Sequence, residues 1–165
     1  MTAIDIFHRN HRTIRKALTT LDRALLMQSA NWPILARNMA RYLDLRLRDY
    51  WGSEERWIFR PLSETGADAA GVVAEMEREH QDLEARLAEF KSLTACPSAP
   101  EIASLVRERG IGLVKEFLHH MFLEEEVGFV LAEERLGHAH LEEIADRVVL
   151  LEKAGLETEE PAAMD

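Results

Sequence analysis

Through four long segments of the chain, apolar residues recur at spacings of three and four, and short breaker clusters separate the segments. Runs of β-branched residues alternating with period two are absent. This pattern predicts an all-α protein, an antiparallel up-down four-helix bundle with an additional short C-terminal helix. The first helix is expected from about Thr2 to Met27, with a stripe of Ile4, Phe7, His11, Ile14, Leu18, Leu21 and Leu25. The second starts near Pro33, which suits a first turn, and ends near Phe59 before the Arg60-Pro61 step. Its stripe is Met39, Leu43, Leu47, Tyr50, Glu54 and Trp57. The third follows "SETGAD", aligns Val73, Met76, His80, Leu83, Leu87 and Phe90, and stops before Cys96-Pro97. The fourth runs from about Pro100 to Arg135 through Val106, Gly110, Leu113, Phe117, His120, Glu124, Val127 and Leu131, and Gly137 closes it. A shorter fifth helix, about His140 to Lys153, presents Leu141, Ile144, Val148 and Leu151. The organisation expected is a bundle over 1–136, a C-terminal helix over 137–155 packed on the bundle or at a dimer face, and a disordered acidic tail over 156–165.

Each of the four long stripes contains an ionisable residue where packing alone asks for an apolar one: His11, Glu54, His80, and His120 with Glu124. Counted at about 1.5 Å per residue, His11, Tyr50 and His80 fall at matching depths, and His120 lies within about one and a half turns of them. A buried carboxylate without compensation costs several kcal/mol or titrates to neutral. Two inward glutamates beside three inward histidines therefore call for a proton network or a cation. His120 and Glu124 stand at i, i+4, which puts imidazole and carboxylate on one helix face. On the same count Glu55 shares an outer face with Arg48 and Trp51.

Composition narrows the chemistry. The 20 Lys+Arg against 30 Asp+Glu leave a net charge of −10, which repels nucleic acid and anionic membrane surfaces. Asp5 and Arg9 interrupt any signal-peptide core, and no charge-free run reaches the roughly 20 residues of a membrane span, so a cytoplasmic protein is expected. Cys96 is the single cysteine, so any metal is held by histidines and carboxylates.

These residues resemble the hemerythrin-like, or HHE cation-binding, domain over roughly residues 4 to 132. "NHRTIRKAL" supplies His11, "REHQDLEARL" supplies His80, and "HHMFLEEEVGF" supplies His120, Glu124 and the aromatic Phe129. "YWGSEERWIF" supplies Glu54, Glu55 and Phe59 at the same offsets, with Tyr50 where the family has a histidine. The resemblance implies two irons, oxo- or carboxylate-bridged, with Glu54 and Glu124 bridging and His11, His80 and His120 capping. Zinc or a single metal is the alternative cofactor. Tyr50 either ligates a ferric ion, since a phenolate is a hard donor whose pKa a metal lowers, or only donates a hydrogen bond. His8, one turn before His11, is the other substitute for the missing histidine, though its position flanks the stripe.

Other readings of the acids and histidines are weaker. Glu77-x-x-His80 and Glu116-x-x-His119 match the ferritin-like spacing, but Glu116 and His119 lie off the apolar stripe, the two motifs fall on consecutive helices, and helix 1 offers no inward glutamate. Glu125 and Glu126, like Glu55, are expected on solvated flanks. Glu84 is expected to orient His80, and His119, His138 and His140 to lie at the surface or between helices. With Phe7, Ile14, Leu47, Met76, Leu83, Phe117 and Val127 as walls, the site suits O2, NO or peroxide. Three function classes follow: a protein that binds or senses such a ligand, a peroxide-reducing or iron-sulfur-repair enzyme, and a metal-free or zinc-bound scaffold. The chain is expected to act as a monomer or homodimer.

Overall fold

A computed structural model describes residues 1–27, 31–95 and 100–154. The expectations for Cys96 and for the acidic tail over 156–165 lie outside the described residues, as does that for the Leu151 side chain. The elements are α1 (Ala3–Met27), α2 (Trp32–Glu54), a π-helical turn (Glu55–Phe59), α3 (Arg60–Ser63), α4 (Ala67–Leu93), α5 (Pro100–Leu123), a second π-helical turn (Glu124–Gly128), α6 (Phe129–Leu136) and α7 (His138–Ala154). The π turns join α2 to α3 and α5 to α6, so four long rods and α7 make up an all-α bundle. Among the described residues there is no strand, and no helix is long and apolar enough to cross a membrane.

Local signals set the ends of the rods. Asp5 caps α1 reciprocally with Thr2, accepting from the Thr2 backbone N–H at 2.7 Å while its own N–H reaches Thr2 Oγ1 at 3.4 Å. Gly137, at φ 77°, separates α6 from α7, a conformation that a Cβ would strain. The second rod does not end at Phe59 as expected but runs on to Ser63. Pro61 is accommodated because it sits in the first turn of α3, directly after the π turn, where the hydrogen-bond register changes.

The rods close a ring in which α1 touches α2 and α5, and α4 touches the same two. Two apolar cores fill it. One joins Leu18, Leu21, Leu43, Leu87, Phe90 and Leu113 with their neighbours. The other joins Phe7, Phe59, Met76, Phe129 and Ala132, and α7 contributes Leu141, Ile144 and Val148 to it. The fifth helix thus covers one end of the bundle, resting on α1 and α6. His11, Glu54, His80, His120 and Glu124 are all buried; four lie in sequence between the residues of the two cores, and His120 stands between Phe117 and Met121 at the edge of the first.

Three expected stripe positions move. Val127 is 40% exposed and Leu131 only half-buried, while Gly128, Phe129 and Ala132 are buried. The same shift on the second rod leaves Trp57 half-buried and takes Ile58 and Phe59 inside. Both follow from the π turns, whose extra residue per turn rotates everything beyond the inward glutamate. Trp51, expected outside, is buried.

Gly110 is a position of close packing on α5: a Cβ there would meet Leu25 Cδ1 at 2.5 Å and Phe90 Cε2 at 2.8 Å. Gly110→Val is expected to destabilise the fold by about 1–3 kcal/mol through overpacking. Urea denaturation measures it, and an unchanged midpoint would show that this contact has slack.

Candidate metal centre

Three imidazoles enter the layer from three rods: His11 from α1, His80 from α4 and His120 from α5. Each ring is oriented by a carboxylate on its outer nitrogen. His11 Nδ1 lies 2.8 Å from Glu125 Oε1, His80 Nδ1 2.7 Å from Glu55 Oε1, and His120 Nδ1 2.7 Å from Glu79 Oε2. An ionised carboxylate only accepts, so the geometry assigns a proton to Nδ1 in all three and leaves Nε2 as the nitrogen that faces the centre.

All three Nε2 atoms face two buried carboxylates. His80 Nε2 is 3.1 Å and His120 Nε2 3.3 Å from Glu124 Oε1. His11 Nε2 is 3.2 Å from both Glu54 Oε1 and Glu124 Oε2. Glu54 Oε1, Glu124 Oε2 and His120 Nε2 are buried with no hydrogen-bond partner. The donors form two triads, His80–His120–Glu124 and His11–Glu54–Glu124, whose ligand atoms lie within 4.8 Å of one another in each. Glu124 belongs to both. Lone pairs brought face to face in this way need protons or cations between them, and mixed imidazole and carboxylate donors suit iron and zinc. The residues therefore fit a pair of metal ions sharing Glu124.

The structure gives the other candidates different places. Tyr50 is half-buried and lines a small cavity beside His11, Glu54, His120 and Glu124. His8 is partly exposed, 3.5 Å from Glu125, with its ring edge-on to Phe129. Glu84, expected to orient His80, instead lies 3.7 Å from Arg48, and both side chains are exposed. Its helix face turns away from the layer, and Glu55 takes the role. Glu55 and Glu125, which the helical count places on outer faces, each reach an imidazole of another rod, while the Glu55 side chain stays 40% exposed. Glu116 is half-buried and His119 exposed, at odds with the ferritin-like placement.

Glu79 and Arg15 were not singled out by the sequence reading. The available signal was the double acid at the same offset on both rods, Glu54-Glu55 and Glu124-Glu125, and the acid directly before His80. Each π turn begins at this point and lets consecutive glutamates serve different partners. One faces the centre and the next faces an imidazole of another rod. Trp51 stacks on His80 at 4.9 Å and on Phe117 at 5.8 Å, giving the His80 ring a flat aromatic wall.

The electrostatics of the metal-free layer follow from this geometry. Burial alone would lower His11, but its contacts with Glu124 and Glu54 outweigh that and bring it up to about 11. His80 is likewise lifted against burial to about 9 by Glu124 and Glu55, and His120 is raised by Glu124. Burial and the neighbouring charge of Glu124 raise Glu54. Glu124 stays well below the usual carboxylate range because its histidine partners overcome its desolvation.

A family model described as the hemerythrin HHE cation binding domain matches residues 2–132, and the chain belongs to that family. No curated protein and no solved structure matches the chain.

Two measurements test the layer's protonation. His11 and His80 have raised values in the folded state, so the stability they give the metal-free protein is full below about 6.5, their ordinary value. It is lost as pH rises through about 9 for His80 and about 11 for His11. Denaturation of chelator-treated protein from about pH 6.5 to about pH 10 should show falling stability; a rise across that range would contradict the charged imidazoles. Because both carry protons at neutral pH, metal loading should release at least two protons per chain in weak buffer.

Proposed function

We propose that this hemerythrin-family chain is a non-haem di-iron protein that binds or senses O2, NO or a related small oxidant. The observation that carries the reading is the pair of donor triads joined through Glu124, with buried carboxylate and imidazole atoms left without hydrogen-bond partners. Bound there, two ferrous ions would supply the electrons that let a small diatomic ligand or peroxide bind reversibly or be reduced. His11, His80 and His120 would cap the ions, Glu124 would bridge them, and Glu54 would complete the second triad.

The chain's own residues limit what reaches the ions. The cavity beside the triads is walled by Ile14, Leu47, Trp51, Phe117 and Met121 and has about 10 Å³ of free volume, close to what one water-sized body needs. That supports a ligand of two or three atoms over an organic substrate. Tyr50 borders the same space. As a ligand its phenolate would complete the sphere of the ion at His11; as a hydrogen-bond donor its hydroxyl would hold the incoming molecule. An enzyme that reduces peroxide or repairs iron-sulfur clusters is the second reading, and the same irons would serve it.

Protein purified without a chelating tag is expected to contain about two irons per chain, matching the two triads, and to change its visible spectrum on exposure to air. Far less than one metal per chain, with no ligand-sensitive absorption, would defeat the di-iron reading, and zinc alone would favour a scaffold. If Tyr50 ligates, Tyr50→Phe removes a broad phenolate-to-iron band while iron content stays near that of the parent. An identical spectrum restricts Tyr50 to hydrogen bonding.

A further inference from the structure

The carboxylates behind the three imidazoles are not alike. Glu55 and Glu79 each receive one imidazole Nδ1–H at 2.7 Å. Glu125 receives that of His11 and is also gripped by Arg15, whose Nη1 and Nη2 donate to Oε1 and Oε2 at 2.8 and 2.7 Å. This bidentate guanidinium shares the charge that would otherwise act on the His11 ring. Arg15 itself lies at the rim, its side chain 34% exposed. Burial acting against Arg15 and His11 leaves Glu125 lowered to about 2.

Resting on the di-iron reading, we propose that Arg15 is a positioning residue that sets the order of metal loading by weakening the His11–Glu54–Glu124 triad. Three effects act with the same sign. That triad holds one imidazole against two in His80–His120–Glu124. Arg15 draws negative charge from Glu125, so the His11 Nδ1–H is less polarised and Nε2 is a poorer donor. The guanidinium also adds a positive charge behind the His11 side of the layer, with partial burial limiting the screening. The first ion therefore settles between His80 and His120, and the second closes the site beside the small cavity.

One effect opposes these. The two-point grip holds Glu125 in place, and a well-held carboxylate orients His11. Two variants separate charge from positioning. Arg15→Met removes both, while Arg15→Lys keeps the positive charge and loses the planar fork.

The experiment is a Co2+ titration of metal-free protein against a competing chelator, followed by visible absorption, with thermal unfolding of each metal-free variant to confirm that it folds. Wild type is expected to load in two resolved steps. Arg15→Met should tighten the second step by roughly tenfold and leave the first unchanged, and Arg15→Lys should stay near wild type. A second step that is unchanged or weaker in Arg15→Met overturns the proposal, as does weakening in both variants, which would make the grip on Glu125 the dominant effect. A wild-type chain that binds no Co2+, or one ion alone, fails the two-triad reading itself, and that failure appears before any variant is compared.

Discussion

Two carboxylates and three imidazoles buried between two apolar cores are the constraint that shapes the rest of this bundle. Left to packing alone, residues 11, 54, 80, 120 and 124 would be leucines or valines and the two cores would be one. Replacing a buried charged cluster by apolar side chains is often neutral or stabilising, so the layer is better explained by what it binds than by what it contributes to the fold. Its demands account for several local departures from regular structure. Trp51 is inside because His80 needs a flat wall. Two rods change their helical register at the inward glutamates. Glutamates that helical counting places outside are turned toward histidines.

The π turns are the device that makes two adjacent glutamates useful. In an unbroken α-helix consecutive residues point about 100° apart, so Glu54 facing the centre would leave Glu55 to solvent. Widening the turn from that residue onward keeps Glu55 within reach of His80 and Glu125 within reach of His11. It also carries Ile58 with Phe59, and Gly128 with Phe129, into the core beyond. Occurring at equivalent points on two rods, the turns belong to the site more than to the packing. π turns are often found at functional sites for this reason.

Much of this was legible in the sequence because burial and periodicity coincide. Every stripe residue assigned on α1 and α4 is buried, and the inward ionisable residues on all four rods are those read from the pattern. Legibility stopped where the period changed. Val127, Leu131 and Trp57 were placed on a continuing α-helical stripe, and one extra residue per π turn moves them off it. Glu79 and Arg15 were missed for a different reason: Glu79 pairs with an imidazole and Arg15 with a carboxylate carried by another rod, relations that spacing within one helix does not contain. Glu84 was preferred for His80 because i, i+4 is the spacing a single helix makes visible, while the partner in the structure is 25 residues away in sequence.

Charge balance links the outer residues to the centre. Glu54, Glu55, Glu79, Glu124 and Glu125 face the layer, and Arg15 offsets one of them. With neutral imidazoles, five carboxylates against one guanidinium leave four negative charges, which two divalent cations match. In the metal-free layer the raised imidazoles and the raised Glu54 carboxyl both act to reduce that negative charge. Loading would then exchange protons for cations within one polar layer, which limits the net charge left inside the bundle. A single divalent ion with its imidazoles deprotonated would leave two negative charges unmatched. On the di-iron reading the two triads are thus coupled, because Glu124 belongs to both.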